Sequence, residues 1–140
     1  MISSEWLAGF FDGEGYMGVS HHRNFNWYQL VMAIMNTDKF ILENIRQVYG
    51  GTIQTIGRPQ NPKWKICYCI KWYGLEAQAM ARTLLPYSRL KSSQLKLSLE
   101  FPVGKTAVKV SDDTRIKRKE LYEILKLMNK RGVTQEGNQE

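Results

Sequence analysis

The sequence predicts an α+β fold whose elements follow the order α-β-β-α-β-β-α, with further helices after them. Segments with the hydrophobic period of a helix separate two pairs of segments in which apolar and polar residues alternate. Short turn-forming stretches join the members of each pair, so each pair is typical of an antiparallel hairpin. No linker or internal repeat interrupts the order, which predicts a single domain over residues 1–132 and a disordered tail over 133–140.

The chain opens with a helix and a hairpin. Ser3 or Ser4 can cap a helix over residues 6–12, and a pair of glycines can end it. Residues 16–22 and 27–35 alternate in the manner of strands, and the polar stretch between them predicts a turn.

A second helix and a second hairpin follow. The stretch Asn36-Thr37-Asp38 is typical of a helix start, and the glycines at positions 50 and 51 stop this helix. Residues 52–56 and 64–72 alternate as strands on either side of a loop that contains two prolines. In the last strand, one face is apolar and the other carries lysine and cysteine.

Three helices complete the prediction. Residues 74–84 have apolar side chains at helical spacing, and Pro86 ends that helix. Residues 92–101 have helical character, and Asp112 opens a basic helix that runs through Asn129.

An excess of positive charge distinguishes the composition. Twenty lysines and arginines against 13 acids give a net charge of +7, the electrostatic footprint of a nucleic-acid partner. Cys67 and Cys69 stand two residues apart, which suits neither a disulfide nor a zinc site, and no apolar run has the length of a transmembrane helix. We therefore expect no membrane contact and an intracellular, reducing compartment. An organelle, a bacterial cytoplasm and a phage-encoded origin all fit.

The stretch WLAGFFDGEG at residues 6–15 carries the chemistry. Glu14 would follow a helix C-terminus, where free carbonyls and a carboxylate together supply oxygen ligands for a hard cation such as magnesium. Gly9 and Gly13 lie four residues apart beside Ala8, so they let a second helix approach closely. The alternative is a core helix that ends in two solvated acids. Two acids at a C-terminus oppose the helix dipole, however, and this favours a site with a compensating cation.

Within this stretch, LAGFFDGEG resembles the LAGLIDADG motif of the homing endonucleases and matches it at Leu7, Ala8, Gly9, Asp12 and Gly15. The predicted order of elements over residues 3–101 also resembles that of the family. The resemblance implies a four-stranded antiparallel, saddle-shaped sheet that lies on double-stranded DNA and is covered by helices. Because the motif occurs once, the resemblance implies a homodimer.

The resemblance also implies roles for residues near the motif. Glu14 and the carbonyl of Gly13 would bind Mg²⁺, and Ca²⁺ would be a substitute that supports no cutting. Lys91 would support the water network near the scissile phosphate, and Asn36 would order that water. A solvated helix lysine at position 91 and a helix cap at position 36 are the alternatives. Asp12 would have a structural role.

Contact surfaces follow from the resemblance together with strand alternation. The dimer interface would consist of Leu7, Ala8, Gly9, Phe11 and Asp12. DNA would be contacted by Ser20, His22, Arg23, Gln29, Gln54, Arg58, Lys63 and Lys65, although each of them could instead merely face solvent. Val31, Ala33, Cys67 and Cys69 would make apolar contacts, for example with thymine methyl groups. The basic run at 115–119 is more typical of a solvated helix face than of a phosphate clamp.

Together these features predict a LAGLIDADG-type DNA endonuclease that makes a staggered double-strand cut in a long, near-palindromic site by metal-assisted phosphodiester hydrolysis. An intron maturase or a non-cleaving DNA-binding protein on the same scaffold is the alternative, and the acid at position 14 favours cutting.

Two other motifs are misleading. The G-x-G-x-x-G string at residues 13–18 follows a helix and precedes a strand, which reverses the dinucleotide fingerprint. The Gly-Lys-Thr at 104–106 lacks the upstream glycine of a P-loop. We therefore expect no nucleotide cofactor.

Overall fold

A computed structural model of the chain describes residues 1–25, 27–57, 60–104 and 110–130. In these residues, four strands and five α-helices follow the predicted order, which confirms the α+β fold. The predicted tail at 133–140 lies outside the described residues. No helix within the described part of the chain is long and apolar enough to cross a membrane.

The helices and strands have the following bounds: α1 Ser4–Glu14, β1 Gly15–His22, β2 Trp27–Asn36, α2 Lys39–Tyr49, β3 Thr52–Ile56, β4 Cys67–Tyr73, α3 Gly74–Leu84, α4 Ser92–Ser98 and α5 Asp112–Met128. A single turn of 3₁₀-helix, Arg23–Phe25, stands at the predicted turn between β1 and β2. The bounds of β3 and α3 are as predicted.

Two element boundaries differ from the prediction by three residues, and α1 extends two residues beyond its predicted bounds at each end. The last strand begins at Cys67 rather than at residue 64, because Trp64 closes a turn in which its amide donates to the carbonyl of Asn61 over 2.9 Å. Helix α4 ends at Ser98 rather than at residue 101. The next amides, those of Leu99, Glu100 and Phe101, donate to carbonyls three residues back, so the chain tightens into turns.

The four strands form one antiparallel sheet in the order β1-β2-β4-β3. Residues that pair directly across two strands share a face of the sheet, so the register defines a buried face and an open face. Helices cover the buried face, which carries Met17, Val19, Leu30, Met32, Ile34, Ile70 and Trp72. The open face carries Tyr16, Ser20, His22, Gln29, Met35, Gln54 and Lys71.

The motif helix α1 packs against the buried face with one apolar stripe. Leu7, Ala8 and Phe11 are completely buried in the core of this chain. Full burial of a large apolar side chain stabilises the fold by about 1.5–3 kcal/mol and leaves no surface for a partner. The prediction that these three side chains lie at a subunit interface is therefore wrong.

Both ends of α1 are fixed to the rest of the chain. At the N-terminus, the side chain of Ser3 caps the helix by accepting from the amide of Trp6, and the hydroxyl of Tyr49 donates to the carbonyl of Ile2 over 2.9 Å. At the C-terminus, β1 begins at Gly15 with no residue between helix and strand. The orientation of α1 therefore sets where the sheet begins.

We predict that Gly15→Ala lowers the free energy of unfolding by about 1–3 kcal/mol, the usual cost of forcing extra atoms into a packed site. The backbone at Gly15 is ordinary extended chain, so the cost is steric: a Cβ atom there would lie 2.6 Å from the backbone oxygen of Phe11. Urea denaturation measures the change. Gly104→Ala is the control, because the nearest atom to its Cβ lies 3.8 Å away. Equal stability of Gly15→Ala and the wild type would contradict the packing described.

Candidate active site and nucleic-acid interface

The motif helix ends in a cluster of backbone oxygens to which Lys91 is bound. Glu14 is exposed and is the last residue of α1, rather than the first residue beyond it. The last carbonyls of a helix largely lack partners within it, although the Phe11 carbonyl accepts from the amide of Gly15. The ammonium of Lys91 donates to the carbonyls of Phe11, over 3.3 Å, and Asp12, over 2.6 Å. The fold thus brings Lys91 to the end of the helix that carries Glu14.

Asp12 binds the turn that contains Lys91. Its Oδ1 accepts from the hydroxyl of Ser88 over 2.5 Å and from the amide of Lys91 over 3.2 Å. Its Oδ2 accepts from the amides of Arg89, over 2.7 Å, and Leu90, over 3.2 Å. We call residues 88–91 the site turn. The carboxylate is used within its own chain, which favours the predicted structural role, and a place for Asp12 at the dimer interface stays a prediction.

Burial, hydrogen bonds and nearby charges shift the pKa values of Asp12 and Lys91. For Asp12, burial tends to raise the carboxyl pKa, but the hydrogen bonds from Arg89, Ser88, Leu90 and Lys91 outweigh burial and hold the pKa below its usual value. For Lys91, burial lowers the pKa, and the nearby carboxylates of Asp12 and Glu14 oppose that effect only in part.

One chain supplies few metal ligands. Among the described residues there is no group of three or more His, Cys, Asp or Glu side chains that could hold a metal ion. Because Lys91 binds the carbonyls of Phe11 and Asp12, the oxygens next to them are the Gly13 carbonyl and the Glu14 carboxylate. Both are hard oxygen donors of the kind that magnesium and calcium prefer. The donor set fits such an ion but requires ligands from outside this chain.

Asn36 stands at the same end of the sheet and forms a turn. It lies two residues beyond the Gly15–Ile34 pair, and its Oδ1 accepts from the amide of Asp38 over 2.8 Å. Asp38, not Asn36, caps α2 by accepting from the amide of Phe40 over 3.0 Å. The helix start is thus where it was predicted, whereas a role for Asn36 in ordering water stays a prediction.

Four of the predicted DNA-contacting residues share the open face. Ser20 lies directly opposite Gln29, and His22 lies opposite Trp27 with ring centroids 4.7 Å apart. Gln54 is exposed on β3. Arg23 is exposed in the 3₁₀ turn between β1 and β2, and Lys63 and Lys65 are exposed in the loop before β4. Lys65 was predicted to lie on the strand, and that prediction is wrong. Arg58 lies outside the described residues.

Other parts of the surface differ from what was expected. Val31, Ala33 and Cys69 are only 7%, 4% and 1% exposed, so they offer little surface for apolar contact with bases. Lys71 follows Cys67 and Cys69 at two-residue spacing, so it lies on the same open face, opposite Thr52. It was not among the predicted DNA contacts.

The basic run on α5 is engaged with its own chain. Arg115 pairs with Asp112 over 3.3 Å, and Lys117 pairs with Glu100 over 3.4 Å. Arg118 is buried and donates to the carbonyl of Pro102 over 2.9 Å. These contacts favour a structural role over a phosphate clamp.

A second apolar stripe of α1 faces away from the core. Trp6 is 45% exposed and stacks on Phe10 with centroids 5.0 Å apart. Gly9 and Gly13 are exposed on the same side, and a Cβ atom at either glycine would meet nothing within 4 Å apart from adjacent residues and the backbone of its own helix. Of the residues predicted for the dimer interface, only Gly9 lies on this stripe, which also carries Trp6, Phe10 and Gly13.

We predict that the contribution of Asp12 to stability is lost at low pH. Because its pKa in the folded chain lies below the ordinary value of 3.8, its ionised form stabilises the fold above that value, and this stabilisation disappears as pH falls through the folded-state pKa. The difference in unfolding free energy between wild type and Asp12→Asn should therefore be constant near neutral pH and shrink below about pH 4. Urea denaturation across this range measures it. A difference that does not change with pH would contradict an ionised Asp12 as the anchor.

Comparison with known proteins gives a family and a fold. The model of the LAGLIDADG endonuclease family matches residues 7–73, from the motif helix to the end of β4. No curated protein sequence matches the chain significantly.

Solved structures with the same fold include three nucleases. The homing endonuclease I-CvuI, in complex with its target in the presence of calcium, is 21% identical with a TM-score of 0.56, over 88% of this chain and 94% of that one. The archaeal intron-encoded homing endonuclease I-Vdi141I, complexed with DNA, is 16% identical with a TM-score of 0.70, over 94% and 87%. The LAGLIDADG meganuclease I-CpaMI, bound to uncleaved DNA, is 16% identical with a TM-score of 0.65, over 99% and 48%.

The family model covers the helix that carries Glu14 and all four strands of the sheet. The fold of the whole described chain agrees with that match. Residues 7–73 therefore match the LAGLIDADG endonuclease family, whose members are DNA endonucleases.

Proposed function

We propose that this chain is a homodimeric homing endonuclease that makes a staggered double-strand cut in a long, near-palindromic DNA site with the help of Mg²⁺. The observation that carries the proposal is the end of α1, where an exposed Glu14 stands beside the bound ammonium of Lys91 at the start of the sheet. A carboxylate and a cation held side by side are what hydrolysis of a phosphodiester requires.

Charge and shape support DNA as the substrate. The net charge of +7 favours binding to a polyanion, and the lysines and arginine in the exposed loops can contact phosphates. The polar side chains of the open face can donate and accept hydrogen bonds at base edges. Phosphate contacts would hold the duplex, and the open face would read its sequence.

The Glu14 carboxylate and the Gly13 carbonyl would hold the divalent ion. When bound there, Mg²⁺ lowers the pKa of a coordinated water and polarises the phosphate. Ca²⁺ would occupy the same oxygens without supporting cutting. The chain's own contribution is electrostatic and positional: Lys91 keeps a positive charge beside the developing negative charge, and the rigid junction between α1 and β1 fixes Glu14 relative to the open face.

Pairing of two chains through the exposed stripe of α1 would supply the second site. One chain carries one motif, whereas a double-strand cut requires two reactions. Gly9 and Gly13 let a second helix approach closely, and Trp6 and Phe10 offer apolar area beside them. A two-fold axis along α1 would bring the two Glu14 residues near each other and would match a near-palindromic target.

We predict that Glu14→Gln abolishes cutting and preserves DNA binding. The glutamine keeps the shape but loses the charge that holds the ion, so the rate should fall below about 1% of the wild-type rate, since the ion contributes several kcal/mol. The measurement is linearisation, with Mg²⁺, of a plasmid whose site was selected from a library of randomised inserts. DNA affinity is measured in Ca²⁺.

Glu123→Gln is the matched control for that experiment, because Glu123 is an exposed acid on α5. It should cut at the wild-type rate. A wild-type protein that selects a DNA sequence and never cuts it would overturn the nuclease proposal and favour a DNA-binding protein.

We predict that Gly9→Leu converts a dimer into a monomer without unfolding the chain. A Cβ atom at position 9 meets nothing within 4 Å apart from adjacent residues and the backbone of its own helix, so we expect the substitution to act on a partner at this surface. Sedimentation velocity should give a dimer for the wild type and a monomer for the variant. Ala79→Leu is the control, since it adds the same side chain to an exposed position of α3. A monomeric wild type, with and without DNA, would refute the interface.

A further inference from the structure

We infer that Asp12 is a positioning residue whose carboxylate fixes the site turn and thereby holds the Lys91 ammonium at the end of α1. The inference rests on the proposed function in so far as it gives Lys91 a part in the reaction. It adds a residue that acts on the chemistry only through Lys91.

Asp12 and Lys91 are joined by two sets of hydrogen bonds between side chain and backbone, one from each residue's side chain. The side chain of Asp12 accepts from the backbone of the site turn, and the side chain of Lys91 donates to the backbone of α1. The amide of Lys91 lies 3.2 Å from Asp12 Oδ1, while its Nζ lies 2.6 Å from the Asp12 carbonyl oxygen. Two residues that are 79 positions apart thus fix each other at two points.

Without the bonds from Asp12 to the site turn, the Lys91 side chain would be less restrained at the end of α1. A free lysine side chain loses conformational entropy when it is held in one arrangement. The site turn reduces that loss, because it fixes the backbone from which the side chain starts. The Phe11 ring, 5.7 Å from Nζ, lines the path of the side chain. The ammonium is therefore in place before DNA or metal binds.

The chemistry of the turn selects aspartate over its closest isostere. The four partners of Asp12 all donate hydrogen bonds: one hydroxyl and three amides. An ionised carboxylate accepts at both oxygens, whereas an asparagine side chain accepts at one atom and presents N–H groups at the other. Asp12→Asn can keep the pair on one oxygen and must lose the other pair. It changes the anchor while it preserves the shape.

The first experiment measures position without reference to activity. In the full chain, hydrogen exchange at the amides of Arg89, Leu90 and Lys91 should be slow, and Asp12→Asn should accelerate it about tenfold or more, which corresponds to the loss of one or two hydrogen bonds. Acylation of Lys91 Nζ by a water-soluble reagent, followed by peptide mass mapping, should also become several-fold faster.

Asp38→Asn is the matched control for exchange and acylation. Asp38 also accepts from backbone amides, those of Phe40 and Ile41 at the start of α2, and these hydrogen bonds do not involve the site turn. It should leave both readouts unchanged. If Asp12→Asn fails to fold, Ser88→Ala removes a single bond of the four and should give a smaller change in the same direction. Unchanged exchange and acylation in both variants would overturn the inference.

The second experiment asks whether Asp12 acts through Lys91. Asp12→Asn should slow cutting about a hundredfold, the usual effect of a group displaced by about 1 Å, at unchanged DNA affinity. Combined with Lys91→Gln, it should slow cutting no further than Lys91→Gln alone does. Additive losses would show that Asp12 acts elsewhere and would overturn the inference. If the wild type cuts no DNA, the proposed function fails, and the exchange and acylation results still decide the positioning.

Discussion

The C-terminus of α1 carries more negative character than a helix end can hold without a cation. Two acids stand in its last turn beside the negative end of the helix dipole, and each such acid costs about 0.3–1 kcal/mol. Hydrogen bonds that involve a charged group return about 1.5–3 kcal/mol each, and Lys91 makes two of them with the carbonyls of this turn. The Asp12 carboxylate accepts hydrogen bonds from three amides and a hydroxyl. Only Glu14 keeps its carboxylate in solvent.

The position of this charged end determines the rest of the molecule, because no residue separates α1 from the sheet. Gly15 begins β1 directly against Phe11, and β1 pairs with β2 along its whole length. The open face therefore starts at a fixed distance from Glu14. At the opposite end of α1, the bond from Tyr49 to Ile2 connects the helix to α2. The charged end of α1 and the open face are thus parts of one rigid arrangement.

Sequence patterns were sufficient for the order of elements but not for which surfaces are buried. Strand alternation and glycine stops are local, so β3 and α3 were predicted with correct bounds. In α1, residues 7, 8 and 11 and residues 6, 9, 10 and 13 both form apolar or small stripes at helical spacing, and periodicity alone cannot tell which one faces the core. Trp64 continues the alternation of β4 yet is 61% exposed in a turn. The link from Asp12 to the site turn spans 79 positions and has no local signal.

The open face and the charged end of α1 differ in how freely their residues can be substituted. Open-face side chains point away from the core, because strand residues alternate between faces, so substitution of Gln29 or Gln54 alters a surface and leaves packing intact. The charged end of α1 is held through backbone atoms and the buried Phe11 ring, so substitution of Phe11 or Gly15 alters packing as well. Under the proposed function, target choice can thus change by substitution on the open face while the groups at the end of α1 stay fixed.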